Sequence, residues 1–343
     1  MKYFLRYIKR RALFIIPQLL GVLLITFFIV RMIPADPARM IAGGLAPEEG
    51  VQLLREKMGL TGPVYKQLLI YLGKVIKGDL GVSWFTGNTV LQDIKLRLPA
   101  TLELLILTLL VTFFIMLPIV LRTISGKKNI ITKITEKLFF GYGMAAGAFP
   151  DFWLALILVY LFYSVLGWAP APAGRLAIMI IPPTRITGLY ILDSLLTLNF
   201  SALFSSIRHL ILPVFVLSFV YGGAILKVAI VSGVQVKNSD FINYAKICAL
   251  PNNVIHKYIT KATYPSVATM SAVVFGFLLG GAVLVEQVFS WSGFGQYAIQ
   301  SVVQSDYFAI QGVVLISAIL MLLVYILVDI VFFIVDPRIK SLG

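Results

Sequence analysis

Six long apolar runs constrain this chain more than any other feature. They cover 12–32, 101–121, 138–166, 210–232, 266–289 and 309–335. An α-helix crosses a hydrocarbon core of about 30 Å in about 20 residues, and every run reaches that length. Lipid offers no water to pair with backbone N–H and C=O groups, so only helices and closed barrels span it. Barrel strands would alternate apolar and polar residues, and these runs are continuous. Of the residues, 59% are hydrophobic and 13% charged, too little polar surface to cover a soluble domain. The chain reads as an all-α integral membrane protein with six transmembrane helices in a single domain, 1–343. The first run follows basic residues, as a signal peptide does. Its apolar core is too long for one, and Arg31 and Ile33-Pro34-Ala35-Asp36 follow where a small-residue cleavage site would stand. It reads as a retained span.

Lysine and arginine set the direction of the spans. The N-terminal tail carries Lys2, Arg6, Lys9, Arg10 and Arg11. The segment after the second run carries Arg122, Lys127, Lys128, Lys133 and Lys137. Lys227, near the end of the fourth run, is followed by Lys237, Lys246, Lys257 and Lys261, and the C-terminal tail carries Arg338 and Lys340. The segment 287–307 has none. Both termini and the 122–137 and 239–265 segments are therefore expected in the cytoplasm. The 33–100 segment is expected outside as a cap of short helices. Pro47-Glu48-Glu49 marks a helix start with acids at the positive end of the dipole, stopping at Gly59. A second amphipathic run, 64–77, stops at Gly78. The other outer loop, 167–208, is irregular, with one short helix near 189–196.

Two acids and one glycine in the spans are candidate pathway or vestibule residues. Asp151 follows Pro150 near the middle of the third run, where proline kinks a helix and a carboxylate is a functional candidate by default. Its structural alternative is to cap the next helical segment. Glu286, at the end of the fifth run, is placed in an outward vestibule. Gly280 belongs to a small-residue group with Gly276, Gly281 and Ala282, which suits close helix approach at a subunit interface or a pathway wall.

The stretch 239–265 is polar, basic and broken by Pro251-Asn252-Asn253. Phe241, Ile242, Ala245, Ala249 and Leu250 nevertheless recur at roughly helical spacing, so one face wants burial. A second short helical pattern runs through Val254, Tyr258 and Ile259. A helix–turn–helix at a membrane surface with an apolar face is a docking element. The lone Cys248 has no partner for a disulfide or a metal. No GxxxxGK[ST] phosphate loop, HExxH or GxSxG motif is present, so no cofactor, metal or catalytic set is expected on this chain. The basic stretches lack the interleaved aromatics of a nucleic-acid surface; the lipid bilayer explains them. On residues alone, a self-sufficient six-span channel or secondary transporter and a membrane-embedded enzyme stay open.

Further residues run from end to end in a recognisable pattern. They include Pro17, the Pro34-Ala35-Asp36-Pro37-Ala38 turn, Gly78-Asp79-Leu80-Gly81, Arg97-Leu98-Pro99-Ala100-Thr101-Leu102-Glu103 and Phe149-Pro150 with Phe152-Trp153. Arg208-His209-Leu210 with Leu212-Pro213, Val285-Glu286 with Phe289-Ser290-Trp291 and Gly293, Asp306-Tyr307 and Asp336-Pro337-Arg338 continue it. Together they resemble the permease subunits of binding-protein-dependent ABC importers, in the B-type subunit of the dipeptide/oligopeptide branch. The family's cytoplasmic coupling motif falls on 239–265. Its EAA letters fall on Asn243, Tyr244 and Ala245, its glycine on Ala249 and its later proline on Pro265. The branch's own version fits through Asp240, Phe241, Ala245 and Leu250. Alanine resists positive φ, so Ala249 in place of glycine lets the first helix run through to Pro251.

The resemblance implies a prokaryotic inner or plasma membrane protein forming half of a translocation pathway with a second, homologous permease. Two cytoplasmic ATPase subunits would carry ATP and Mg and receive the coupling helices, with Asp240, Phe241, Ala245, Ala249 and Leu250 as the coupling residues here. An extracytoplasmic binding protein would deliver a di- or oligopeptide. Relatives in the branch that take nickel complexes or sugars keep those substrates as alternatives.

Overall fold

The computed structural model describes residues 2–32, 36–43, 45–126 and 130–335. Ile33-Pro34-Ala35, Lys127, Lys128, the Asp336-Pro337-Arg338 ending and Lys340 lie outside the described residues, as do the side chains of the basic N-terminal tail and of Lys133. Helices account for nearly all regular structure among the described residues; the one bridge of strand type joins Val82 and Thr89. Five helices are long and apolar enough to cross a membrane, and a bent pair makes a sixth. The chain is an all-helical, multi-pass membrane protein. It divides into two compact units, 1–99 with 293–322 and 100–292 with 323–343.

In the first unit, α1 (Lys2–Met32) leads to three short helices, α2 (Pro37–Ala42), α3 (Glu48–Met58) and α4 (Val64–Ile76). Asp36 starts α2 by accepting from the N–H of Ala38 at 3.1 Å. Arg55 of α3 pairs with Asp36 and with Glu48. Burial pushes the Asp36 carboxyl up, but the Arg55 guanidinium and the α2 N–H groups outweigh it and hold the carboxyl below its usual range. Gly59 closes α3 at φ 72°, the left-handed region where glycine has no Cβ penalty. Arg31 Nε donates to the Gln67 side chain at 3.1 Å, and Phe27 meets Tyr71 at 5.6 Å between ring centres.

The unit's apolar core gathers Val90 and Ile94 from the start of α5 (Val90–Val111), Phe294 and Tyr297 from α13 (Phe294–Val303), and Ala309 and Val313 from α14 (Tyr307–Val335). Ser83 donates to Asp306 at 2.6 Å, and Asp306 also accepts from the Ala309 N–H at 3.1 Å, so one buried carboxylate joins the 78–89 turn to the head of α14. Burial raises the Tyr297 phenol above its ordinary range.

In the second unit, α5 continues without a break through a wide π-turn at Thr112–Met116 into α6 (Leu117–Ser125). The third span is not one kinked helix. It consists of α7 (Ile130–Ala145), a tight turn at Ala146–Ala148 and α8 (Asp151–Val159), with a bend of 101° across the break. The Pro150 ring removes an N–H and extends Phe149 to ψ 125°, so the first helix cannot continue through the break. Next come the short α9 (Tyr190–Leu196), α10 (Phe200–Lys237), α11 (Asp240–Ile247) and α12 (Asn252–Val288). The short helix expected near Val254–Ile259 is the start of α12, which passes through Pro265 unbroken. Proline costs this helix one hydrogen bond, and the Thr269 hydroxyl donates to the Pro265 carbonyl at 3.1 Å beside it.

Asp193 of α9 anchors the loop that precedes this helix, accepting from the Thr187 N–H at 2.8 Å, the Thr187 hydroxyl at 2.7 Å and the Gly188 N–H at 2.9 Å. Burial would raise its carboxyl, but these donors together hold it below the usual range.

Candidate functional site

Two places in the second unit carry the candidate residues. The first is the polar segment joining α10 to α12. Lys237 ends α10, and its ammonium group donates to the Ile124 carbonyl at the end of α6. The Ser125 hydroxyl hydrogen-bonds the His256 ring on α12. These two contacts tie α6 to both helices that flank α11. The α11 segment follows with Asp240 in its first turn and Lys246 in its last, each suiting the helix dipole.

The helix ends at Ile247, and Ala249 takes φ 53°. The expectation that alanine would avoid positive φ and carry the helix to Pro251 is therefore wrong. The chain closes in a Schellman turn: the Leu250 N–H donates to the Ala245 carbonyl at 3.1 Å and the Ala249 N–H to the Lys246 carbonyl at 3.0 Å. Leu250 then packs on Ile242, Ile255 and Ile259. Left-handed backbone costs a residue with a β-carbon about 1–2 kcal/mol. Two satisfied carbonyls and the Leu250 contact offset that cost.

The faces of α11 are sharply divided. Ile242 is 0% and Ala245 4% exposed, turned into the chain's own core. Phe241 is 50%, Tyr244 69% and Ile247 82% exposed, three apolar side chains at helical spacing pointing away from it. Asp240, Ala249 and Cys248 are also exposed, and Leu250 is half-buried. Of the predicted coupling residues, Phe241 thus lies on the outer face and Ala245 on the inner one. Tyr244, which stood in the motif's register, and Ile247, which was not singled out, share the outer face with Phe241 at spacing i, i+3, i+6.

The second place is a crossing at the middle of α10. The Tyr221 hydroxyl donates to Asp151 Oδ2 at 2.8 Å, and the Phe152 N–H donates to Asp151 Oδ1 at 2.7 Å. A β-carbon placed on Gly281 of α12 would lie 1.6 Å from the Tyr221 hydroxyl oxygen and 2.5 Å from Asp151 Oδ2. Gly281 is therefore a notch into which the Tyr221–Asp151 pair fits. Gly222 would meet Thr112 of the π-turn at 3.1 Å, and Gly223 would meet Ala146 of the broken span at 2.5 Å. The Tyr142 hydroxyl donates to the Phe219 carbonyl at 2.6 Å on the same stretch. Three consecutive residues, Tyr221-Gly222-Gly223, thus join α10 to α8, α12, the π-turn and the end of α7.

Asp151 is 8% exposed and held by Tyr221. Gly280 faces open space, where a β-carbon would meet nothing within 4 Å; the tight approach belongs to its neighbour Gly281. Glu286 is 0% exposed and accepts from the Thr101 hydroxyl, so in this structure it faces α5 rather than an open vestibule. Beside it, Trp291 Nε1 donates to the Ala100 carbonyl at 3.0 Å. The sequence reading also missed a buried ion pair between Arg175 and Glu103 at 2.7 Å, with Arg175 lying 3.5 Å over the Tyr190 ring. Among the described residues no group of three or more His, Cys, Asp or Glu side chains is placed to hold a metal.

Residues 119–341 match the family described as the binding-protein-dependent transport system inner membrane component, and residues 4–105 match the N-terminal part of such membrane components. The chain belongs to this family. This inner membrane component is 33% identical to the probable D,D-dipeptide transport system permease protein DdpB of Escherichia coli K12, over 98% of each chain. It is also 33% identical to the dipeptide transport system permease protein DppB of Alkalihalophilus pseudofirmus, over 98% of this chain and 99% of the relative. The oligopeptide transport system permease protein AppB of Bacillus subtilis is 32% identical over 97% of this chain and 99% of its own length. The family consists of membrane components of transport systems; α11 and the Asp151–Tyr221–Gly281 contact both lie within the matched region.

Proposed function

We propose that this chain is the permease subunit of an ATP-driven importer of di- or oligopeptides. It forms half of the translocation pathway with a second, homologous permease. The observation that carries the reading is end-to-end similarity to several permeases named for dipeptide or oligopeptide transport. In this reading both termini and α11 face the cytoplasm, which the lysine and arginine distribution supports. ATP and Mg bind on two separate ATPase subunits, and a binding protein delivers peptide to the outer face.

In this reading α11 is the coupling helix. An exposed apolar patch on a water-facing segment marks a partner surface, and Phe241, Tyr244 and Ile247 form one. Ile242 and Leu250 brace the helix from behind against α12, and Ala245 is buried on the same inner side. A coupling element must move as a unit between two arrangements. The bracing makes α11 and the start of α12 one rigid piece, and α10 extends from α11 to the Tyr221 crossing. ATPase closure would then act on the broken third span through α10.

The test is reconstitution in liposomes with the partner permease, the ATPases and the binding protein. ATP-dependent uptake of a labelled dipeptide by the full complex is expected, with no flux through this chain alone. Autonomous flux would contradict the reading, and uptake of nickel complexes or sugars in place of peptide would overturn its substrate part.

A further inference from the structure

Between α5, α9 and α10 lies an open groove of about 560 Å³. Its walls include Leu107 and Val111 of α5 and Ile207, Ile211, Phe215 and Phe219 of α10. Ser218 supplies the one hydroxyl among its lining side chains. A peptide laid there would leave its amides without partners, at a cost of several kcal/mol per group in an apolar setting. A hydrocarbon chain would leave nothing unpaired.

The dimensions decide the occupant further. From Ile207 to Phe219 the α10 wall runs about 18 Å at 1.5 Å per residue. One leaflet of a hydrocarbon core about 30 Å thick is about 15 Å deep, so the groove is one leaflet long. Its volume spread over that length averages roughly 30 Å² in cross-section. A helix with side chains is 10–12 Å across, roughly 80 Å² or more, so it would lie over the groove's mouth and leave its floor unfilled, whereas an extended hydrocarbon chain lies within.

A charged residue follows Ile207, the first residue of the groove's α10 wall. Arg208 is exposed and makes no ion pair among the described residues. It stands one turn before Ile211 and two before Phe215 on the same stripe of α10. A long arginine at a span's end keeps its stem on apolar surface and its guanidinium at the interface, where it pairs with phosphate in a forked geometry.

The geometry points to a binding site for one bilayer phospholipid, with an acyl chain in the groove and its phosphate on Arg208. The site lies in the leaflet nearer α9, the outer leaflet in the orientation given above. It requires only that the chain span a bilayer, so it stands apart from the peptide reading. A seated chain would line the π-turn side of α5 at Met116 and the approach to the Tyr221 crossing, filling the space that α5 and α10 would otherwise close between them.

The test uses the full importer complex in vesicles of phosphatidylcholine and phosphatidylglycerol, with a trace of phosphatidylglycerol carrying a diazirine in mid-chain. After illumination, labelling is mapped by peptide mass spectrometry. The expected result is labelling of 207–219 at least fivefold above the exposed face of α1 at Ile25 and Ile29. Ile211→Trp, which lays an indole across the groove mouth, should cut the groove signal about tenfold. Arg208→Gln, an exposed change that leaves packing intact, should cut it about fivefold. Groove labelling equal to that of α1 would overturn the proposal. So would labelling indifferent to both variants, or efficient disulfide formation from Ile211→Cys to the second permease, which would make the groove a subunit contact.

Discussion

Within the second unit, α11 and the Tyr221 crossing are held together by opposite means. The α11 segment is polar and lies outside the apolar spans, and its packing follows the hydrophobic effect: Ile242, Ile255 and Ile259 bury large side chains against one another. The crossing sits at membrane depth, where lipid is as apolar as the side chains and burial gains little. There, contact comes from missing side chains and a hydrogen bond: Gly222, Gly223 and Gly281 let backbones approach, and Tyr221 pairs with Asp151. The lesson is that the same substitution should act in reverse at the two places. Adding volume breaks the crossing, and removing or charging it breaks the α11 core.

The largest expected effect is Gly281→Ala. Its methyl group would occupy the position of the Tyr221 hydroxyl, so the variant should lose several kcal/mol or fail to accumulate folded. Adding Tyr221→Phe should restore part of the loss, because it removes the oxygen in the way. Thermal melts of the purified complex for the two single variants and the double variant would measure that coupling. Additive losses would break the claim that Gly281 is a notch for Tyr221.

Next in size is Ile242→Asp, which buries a carboxylate in the α11 core. A drop of about 3–5 kcal/mol is expected, seen as a lower melting temperature and rapid proteolysis between α10 and α12. Tyr221→Phe alone should cost about 1–2 kcal/mol, since it removes one donor from a buried carboxyl. An unchanged melt would show that Asp151 is held by something else.

The smallest effect is stabilising. Ala249→Gly relieves positive φ, and after the greater chain entropy of glycine in the unfolded state the gain is about 0.5–1 kcal/mol. A destabilised Ala249→Gly variant would mean that the Schellman turn is not the free chain's preferred ending for α11.

These two places also show what was legible in the residues. The spans were legible because their composition allows no other solvent, and α11 because charges and Pro251 interrupt the apolar runs. Which side of α11 faces out was not, because apolar side chains stand on both: Phe241 and Ile242 are neighbours with opposite fates. Only the position of Ile255 and Ile259, one helix away, decides between them. The end of α11 was misjudged because intrinsic preference at Ala249 is worth only about 1–2 kcal/mol, and the two satisfied carbonyls with the Leu250 contact outweigh it. Asp151 stood out as an acid in an apolar run. Its partners did not, since Tyr221 and Gly281 come together through the rotation of three helices about their own axes. The Gly222-Gly223 pair inside the fourth run was a readable sign of close packing.

In the proposed reading α11 turns an outer face to the ATPase and an inner face to its own chain. The decisive experiment is co-purification of the ATPase subunits with Ile247→Asp, alongside the melting temperature of the permease. At least a tenfold loss of bound ATPase with an unchanged melt is expected, because Ile247 is 82% exposed. Full retention of the ATPase by that variant, or loss of ATPase only together with unfolding, would contradict the reading.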